Sequence, residues 1–353
     1  MTAIDPPDAA AYSAALSRQA TLTKPAGALG RLEELSAWVC AVQGSCPPVP
    51  FRRPGLVILA GDHGVARTAG TSAYPPEVTA QMVVNFAAGG AAANVLARLV
   101  GATVRVVDVS VDADPGYLAG TDPGIAAHRV RRSSGSIDRE DAMTPDECDR
   151  ALALGRRLAD DAAEDGADIL IAGDMGIGNT TPAATVIGVI TSATATAVTG
   201  RGTGIDEATL ARKTATVAAA MQRAPGPEGD PVALLLAVGS PDLAAMTAFL
   251  LESARLGVPV VLDGIVSCAA ALVADRMDGT ARAWWVAGHV STEPASRLAL
   301  EALGLDPLLD LDLRLGEGTG ALLAIPLLNA AAATLAEMAT FQDAGVSNAP
   351  GRG

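Results

Sequence analysis

Six short apolar runs, each closing on a polar loop and separated from the next by helical sequence, restrict this chain to a narrow set of folds. The runs are Gly55–Gly61, Ala102–Val109, Ala167–Gly173, Val258–Gly264, Ala281–Gly288 and Leu308–Leu315. Helical patterning occupies Pro75–Leu99, Pro145–Asp165, Thr180–Ser192, Asp206–Ala224, Asp242–Leu256, Cys268–Met277, Glu293–Leu303 and Gly318–Thr340. Strands alternating with helices predict an α/β fold with a Rossmann-like parallel sheet flanked by helices. The runs lead into GDHGV, DVSVD, GDMGIGNTT, DGIVS, GHVSTEP and GEGTG. In a parallel sheet such loops share the carboxyl edge, where ligands bind, so together they predict one polar crevice.

Composition agrees. Half of the 353 residues are apolar but only 3% are aromatic, which suits Ala-rich helices covering both faces of a Val/Ile-rich sheet. The net charge of −14, from 25 basic and 39 acidic residues, argues against nucleic-acid and anionic-membrane partners. Arg129, Arg131 and Arg132 form the one basic cluster, read as a loop or interface feature. The run Leu322–Leu335 contains Pro and Asn and is short for a bilayer span, and the acidic, Pro-rich N-terminus is unlike a signal peptide. A cytoplasmic protein is expected. Cys40, Cys46, Cys148 and Cys268 form no CxxC pair, and His63, His128 and His289 have no metal-ligand spacing, so no metal site is expected. His63 and His289 both fall at strand ends, where they could line the crevice. Asp160-Asp161 reads as a solvated helix face. GSCPPVPFRRPG (Gly44–Gly55) reads as a linker after a helical segment that spans Ser13–Val42 with an interruption at Lys24–Leu35.

Three loops can carry chemistry. In Gly173–Thr185, Gly176 and Gly178 allow close backbone approach, while Asn179, Thr180 and Thr181 open a helix. This is either an anion site or a capped strand-to-helix turn. It lacks GKS or GKT and does not complete GxGxxG, which disfavours a dinucleotide-dependent dehydrogenase. In Gly200–Lys213, Gly202 and Gly204 make a turn, Asp206 is a candidate N-cap, and Lys213 either reaches back to a phosphate or is solvated. In Gly316–Pro326, Glu317 stands among three glycines, either as a general base or as a cap for the following helix.

Taken in order, KPAGALGRLE, GDHGV, SAYPPEVTAQMV, GDMGIGNTTPAAT, GRGTG with ARK, VLDGIVS, GHVSTEP and LRLGEGTGA resemble the nicotinate-nucleotide–dimethylbenzimidazole phosphoribosyltransferase family, from about Thr23 to about Thr340. The resemblance implies a homodimer. It also implies a smaller helical domain built from both chain ends, residues 1–50 plus 320–353, beside a Rossmann-like domain over 51–319. The implied reaction moves the phosphoribosyl group of β-nicotinate mononucleotide to 5,6-dimethylbenzimidazole, giving α-ribazole 5′-phosphate and nicotinate. Glu317 matches the catalytic glutamate. Gly176, Gly178, Asn179, Thr180, Gly202, Lys213 and Ser291 match positions around phosphate and ribose. Tyr74, Gln81, Met82, Met175 and Leu315 match the region that packs on the benzimidazole, and Asp174 and Asp263 take supporting places.

The chain departs from the family pattern at Asp174, where Glu is usual, at Ala26 and Ala28, after Pro294, and at Tyr74, which is bulkier than the Ser of some relatives. No pyrophosphate leaves in such a transfer, so neither Mg²⁺ nor another cofactor is expected. Transfer to another base (adenine, another benzimidazole or a phenol) and a non-catalytic nucleotide-binding protein are the alternatives.

Overall fold

A computed structural model describes residues 3–118 and 120–347. Five parallel strands form one sheet in the order β2-β1-β3-β4-β5: β1 Pro54–Gly61, β2 Thr103–Ser110, β3 Ile169–Met175, β4 Val260–Leu262 and β5 Trp285–Ala287. All residues of β1, β4 and β5 are buried, as the near-continuous apolar runs require of a sheet covered on both faces. The order reverses between β1 and β3, which places a topological switch point where the loop after β1 meets the loop after β3.

The sixth apolar run, Leu308–Leu315, forms no regular strand. Its alternating aspartates leave it little to bury, and Asp312 adopts a left-handed backbone (φ 56°). It passes the sheet edge with a single parallel bridge, His289 to Leu309, and a few flanking backbone bonds, including Val290 N–H to Leu309 O at 3.0 Å. The fifth run is also shorter than expected. Asp278 accepts from Thr280 N–H and starts a 3-10 turn over Gly279–Trp284, so β5 begins only at Trp285. Pro75–Leu99 is two helices, Val78–Ala87 and Ala92–Val100, parted at Gly89-Gly90. The helix Pro231–Val238, started by Asp230, was not expected.

Asp206 caps Glu207–Arg223, as read from the sequence, and Thr144 and Glu147 make a capping box at the start of Pro145–Glu164. The arginine cluster ties its loop down: Arg129 pairs with Asp108, Arg131 with Glu147, and Arg132 with Asp112 and Asp114. Asp161 and Asp160 lie on the partly exposed face of their helix and pair with Arg105 and Arg255.

The two chain ends meet. Ala11, Ala15, Leu22, Ala37, Cys40 and Leu335 form an apolar cluster of their own, and Arg18 donates to the Leu335 and Ala336 carbonyls. The helix Thr319–Glu337 joins this cluster to the main core. Its 19 residues are long and apolar enough to cross a membrane, so the expectation from the shorter run Leu322–Leu335 fell short. Its apolar side is instead buried through Leu322, Ile325, Leu328 and Leu335. The chain after Thr340 continues as a short helix, Phe341–Ala344, and residues 348–353 lie outside the described residues.

Candidate active site

A cleft opens at the carboxyl edge of the sheet, where ligands bind in parallel α/β folds. Its floor is the β3 loop. A Cβ at Gly176 would overlap the Gly61 carbonyl, so only glycine lets the loop after β3 lie against the end of β1. The helix Thr180–Thr191 starts at Asn179 without a side-chain cap, because the Asn179 amide donates to Asp174 instead. In its first turn the Thr181 N–H donates to Gly178 O and Pro182 has none, which leaves the Thr180 N–H unclaimed at a helix start, a place that attracts anions.

Lys213 reaches this turn from the neighbouring helix. It is 1% exposed, and its Nζ donates to Thr180 Oγ1 at 2.8 Å and to Gly200 O at 2.9 Å. Burial pulls its pKa below the ordinary lysine value, opposed by Glu293, whose carboxylate is 3.8 Å away. Glu293 also accepts the Gly202 N–H at 2.7 Å, and it packs so closely on Gly200 that a side chain there would have to displace the carboxylate. Gly176, Gly178, Asn179, Thr180, Gly202, Lys213 and Ser291 all line the cleft, so the expected phosphate and ribose group is brought together.

The opposite wall gathers carboxylates. Glu317 sits between Gly316 and Gly318, all three with left-handed backbones (φ 80°, 62° and 82°). For a glutamate this conformation costs about 1–3 kcal/mol and is held by its surroundings. Glu317 is 3% exposed, and its N–H donates to Asp174 O at 3.1 Å. It does not cap the following helix. Asp263 does, accepting from Gly318, Gly320 and Ala321 N–H. The Glu317 Oε2 instead accepts from Ala93 N–H at 3.3 Å, at the start of the helix Ala92–Val100. Burial raises the Glu317 pKa, the Ala93 N–H opposes this, and the charge of Asp263 adds to it. Asp174 is raised to about 8 by burial, then by the charges of Asp263, Asp242 and Glu317, against the Asn179 hydrogen bond.

Of the two histidines expected in the crevice, only His289 lines it. Its Nε2 is 3.4 Å from Asp263, which outweighs burial and raises its pKa. His63 is 2% exposed and stands behind Gly176, 3.7 Å from Asp242, its pKa pulled down by burial.

The base-binding group is only partly assembled. Leu315 lines the cleft and Asp174 does too, whereas Glu317 lies behind the wall that Leu315 and Gly316 form. Tyr74 is exposed, Gln81 is exposed, and Met82 and Met175 are half-buried, all outside the cleft lining. The helix that carries Gln81 and Met82 is nonetheless anchored to the floor, since Thr79 Oγ1 accepts from Ile177 N–H at 3.0 Å and donates to Asp62 at 2.6 Å. Sequence reasoning missed Thr71, Ser72, Arg201, Glu293 and Arg314 in the lining. Glu293 and Arg314 lie inside GHVSTEP and LRLGEGTGA, so their position within the motifs was the available signal. Among the described residues, no cluster of three or more His, Cys, Asp or Glu could hold a metal.

Residues 4–346 match the family described as Phosphoribosyltransferase. The chain is 56% identical over 345 residues to the nicotinate-nucleotide–dimethylbenzimidazole phosphoribosyltransferase of Mycolicibacterium paratuberculosis, covering 98% of this chain and 97% of the relative. It belongs to that family. The corresponding protein of Mycobacterium marinum is also 56% identical, over 346 residues, covering 98% of this chain and 95% of the relative. The crystal structure of the phosphoribosyltransferase of that name from Thermus thermophilus superimposes with a TM-score of 0.90 at 45% identity, covering 97% of this chain and all of that one. Family membership makes this chain a pentosyltransferase, and the resemblance drawn from the motifs is borne out.

Proposed function

We propose that Glu317 accepts the ring proton of the incoming base as this enzyme moves the 5-phosphoribosyl group of β-nicotinate mononucleotide to 5,6-dimethylbenzimidazole. The bond from ribose C1′ to the pyridinium nitrogen breaks, and nicotinate departs with the electron pair. One benzimidazole nitrogen bonds C1′ from the opposite face, which inverts β to α. The other ring nitrogen gives up its proton. Departure of a neutral ring nitrogen needs no acid, so the chemistry asks for one base and for two rings held in line.

The observation that carries this reading is a buried carboxylate with a raised pKa, set one residue from the cleft wall and joined by its backbone to the phosphate-side loop through Asp174. A pKa nearer neutrality suits a proton acceptor. Lys213, Thr180, Gly202 and the first turn of Thr180–Thr191 bind the phosphate. Ser291, Gly176, Gly178 and Asn179 frame the ribose. The bulk of Tyr74, Gln81, Met82, Met175 and Leu315 selects the base, with Asp174 and Asp263 as supports.

The ends of the chain act as one helical unit, residues 1–50 with 320–353, and two copies pair; the separate apolar cluster at the ends supports the first part. A cytoplasmic setting accords with four cysteines that are all free thiols. Incubation with nicotinate mononucleotide and a panel of bases tests the whole reading. Nicotinate release that depends on 5,6-dimethylbenzimidazole supports it, and no release with any base would overturn it.

A further inference from the structure

The proposed donor has two anionic ends, a 5′-phosphate and the carboxylate of its nicotinate ring. The cleft supplies four cationic or potentially cationic side chains: Arg201, Lys213, His289 and Arg314. Three of them already face an acid. Arg201 pairs with Glu207, Lys213 lies 3.8 Å from Glu293, and His289 lies 3.4 Å from Asp263. Among the described residues Arg314 alone of the four has no carboxylate partner. Its one hydrogen bond runs from Nη1 to Gly202 O, at 3.0 Å. The guanidinium carries five N–H donors, so most of its fork is free. Arg314 is exposed on the same wall segment as Leu315 and Glu317, whereas Lys213 is buried against the helix start that suits a phosphate.

Resting on the reaction proposed above, we infer that Arg314 binds the ring carboxylate of nicotinate mononucleotide and so makes the enzyme select the acid over the amide, nicotinamide mononucleotide. A planar guanidinium matches a planar carboxylate with two parallel hydrogen bonds, a match an ammonium group does not reproduce. The amide offers one acceptor oxygen and no charge. An arginine at the exposed rim also stays in contact with nicotinate as it leaves.

The test uses the full-length enzyme and calorimetric dissociation constants for nicotinate mononucleotide and nicotinamide mononucleotide, which share phosphate, ribose and pyridinium. Wild type should bind the acid more tightly. Arg314→Gln, which keeps a donor for Gly202 O, should weaken the acid about 10- to 100-fold, the range of one charged hydrogen-bonding contact, and leave the amide unchanged. Arg314→Lys should restore part of the preference. Equal losses on both nucleotides would mean that Arg314 serves the phosphate or the Gly202 loop, and would overturn the inference. So would unchanged affinities, or a wild type with no preference. Base-dependent nicotinate release by wild type is measured alongside. Its absence would overturn the reaction, while the affinity ratio still reports on Arg314.

Discussion

The two walls of the cleft solve opposite electrostatic problems. On the phosphate side a buried cation is surrounded by acceptors: Thr180, Gly200 O and Glu293 all face Lys213. On the other side Asp174, Asp263 and Glu317 are buried near one another, and burial, with the charges of Asp263, Asp242 and Glu317, raises the Asp174 pKa to about 8. On the first wall the Lys213 ammonium is held before any ligand arrives. The second holds Asp174 and Glu317 where burial disfavours ionisation, and it does so on a strained backbone at Glu317. In the reaction proposed above, binding falls to the wall that holds the cation and proton transfer to the strained one.

Substitutions should separate the walls. The largest effect is expected from Glu317→Gln, a loss of about 10²–10⁴ in turnover with the affinity for nicotinate mononucleotide retained, read from steady-state rates and calorimetry. Equal loss of affinity would blur the contrast. Lys213→Ala should do the reverse, weakening nucleotide binding about 10- to 100-fold by removing a charged hydrogen-bond donor. An unchanged dissociation constant would remove Lys213 from the phosphate site.

A smaller effect concerns stability. Asp174 has a folded pKa of about 8 against an ordinary 3.8, so folding favours its protonated form. Its contribution is full below pH 3.8 and is lost as pH rises toward 8. Asp62, raised to about 6, acts in the same direction over a lower window. Asp174→Asn should therefore gain thermal stability relative to wild type as pH rises from about 5 to 8. A Tm difference that does not change across that range would show that Asp174 is not held neutral. The smallest effect is expected from Arg129→Lys, whose cation still reaches Asp108 while the arginine fork is lost. Thermal melts should show a modest loss of stability with turnover unaltered.

Much of this was legible in the sequence, and the failures share a cause. Strands buried on both faces announce themselves by apolar runs, so β1 was placed to within one residue and β3 to within two at each end. Leu308–Leu315 misled because alternation of Leu with Asp mimics an edge strand, and nothing local reveals that Asp312 leaves the extended region. The phosphate wall was readable because glycine and helix starts act locally. At the carboxylate wall the local pattern left Glu317 open between a general base and the cap of its own helix, and Asp263, more than fifty residues away, holds that helix start. Glu293 and Asp242 owe their roles to such long-range approaches, which leave no mark in a short window.

The pH dependence of the chemical step tests the central claim most directly. Single-turnover nicotinate release should rise with pH through a midpoint above the usual glutamate range, because only ionised Glu317 can take the proton. In Glu317→Gln the residual rate should be flat over the same range. A variant that keeps the wild-type rise would show that the proton goes elsewhere.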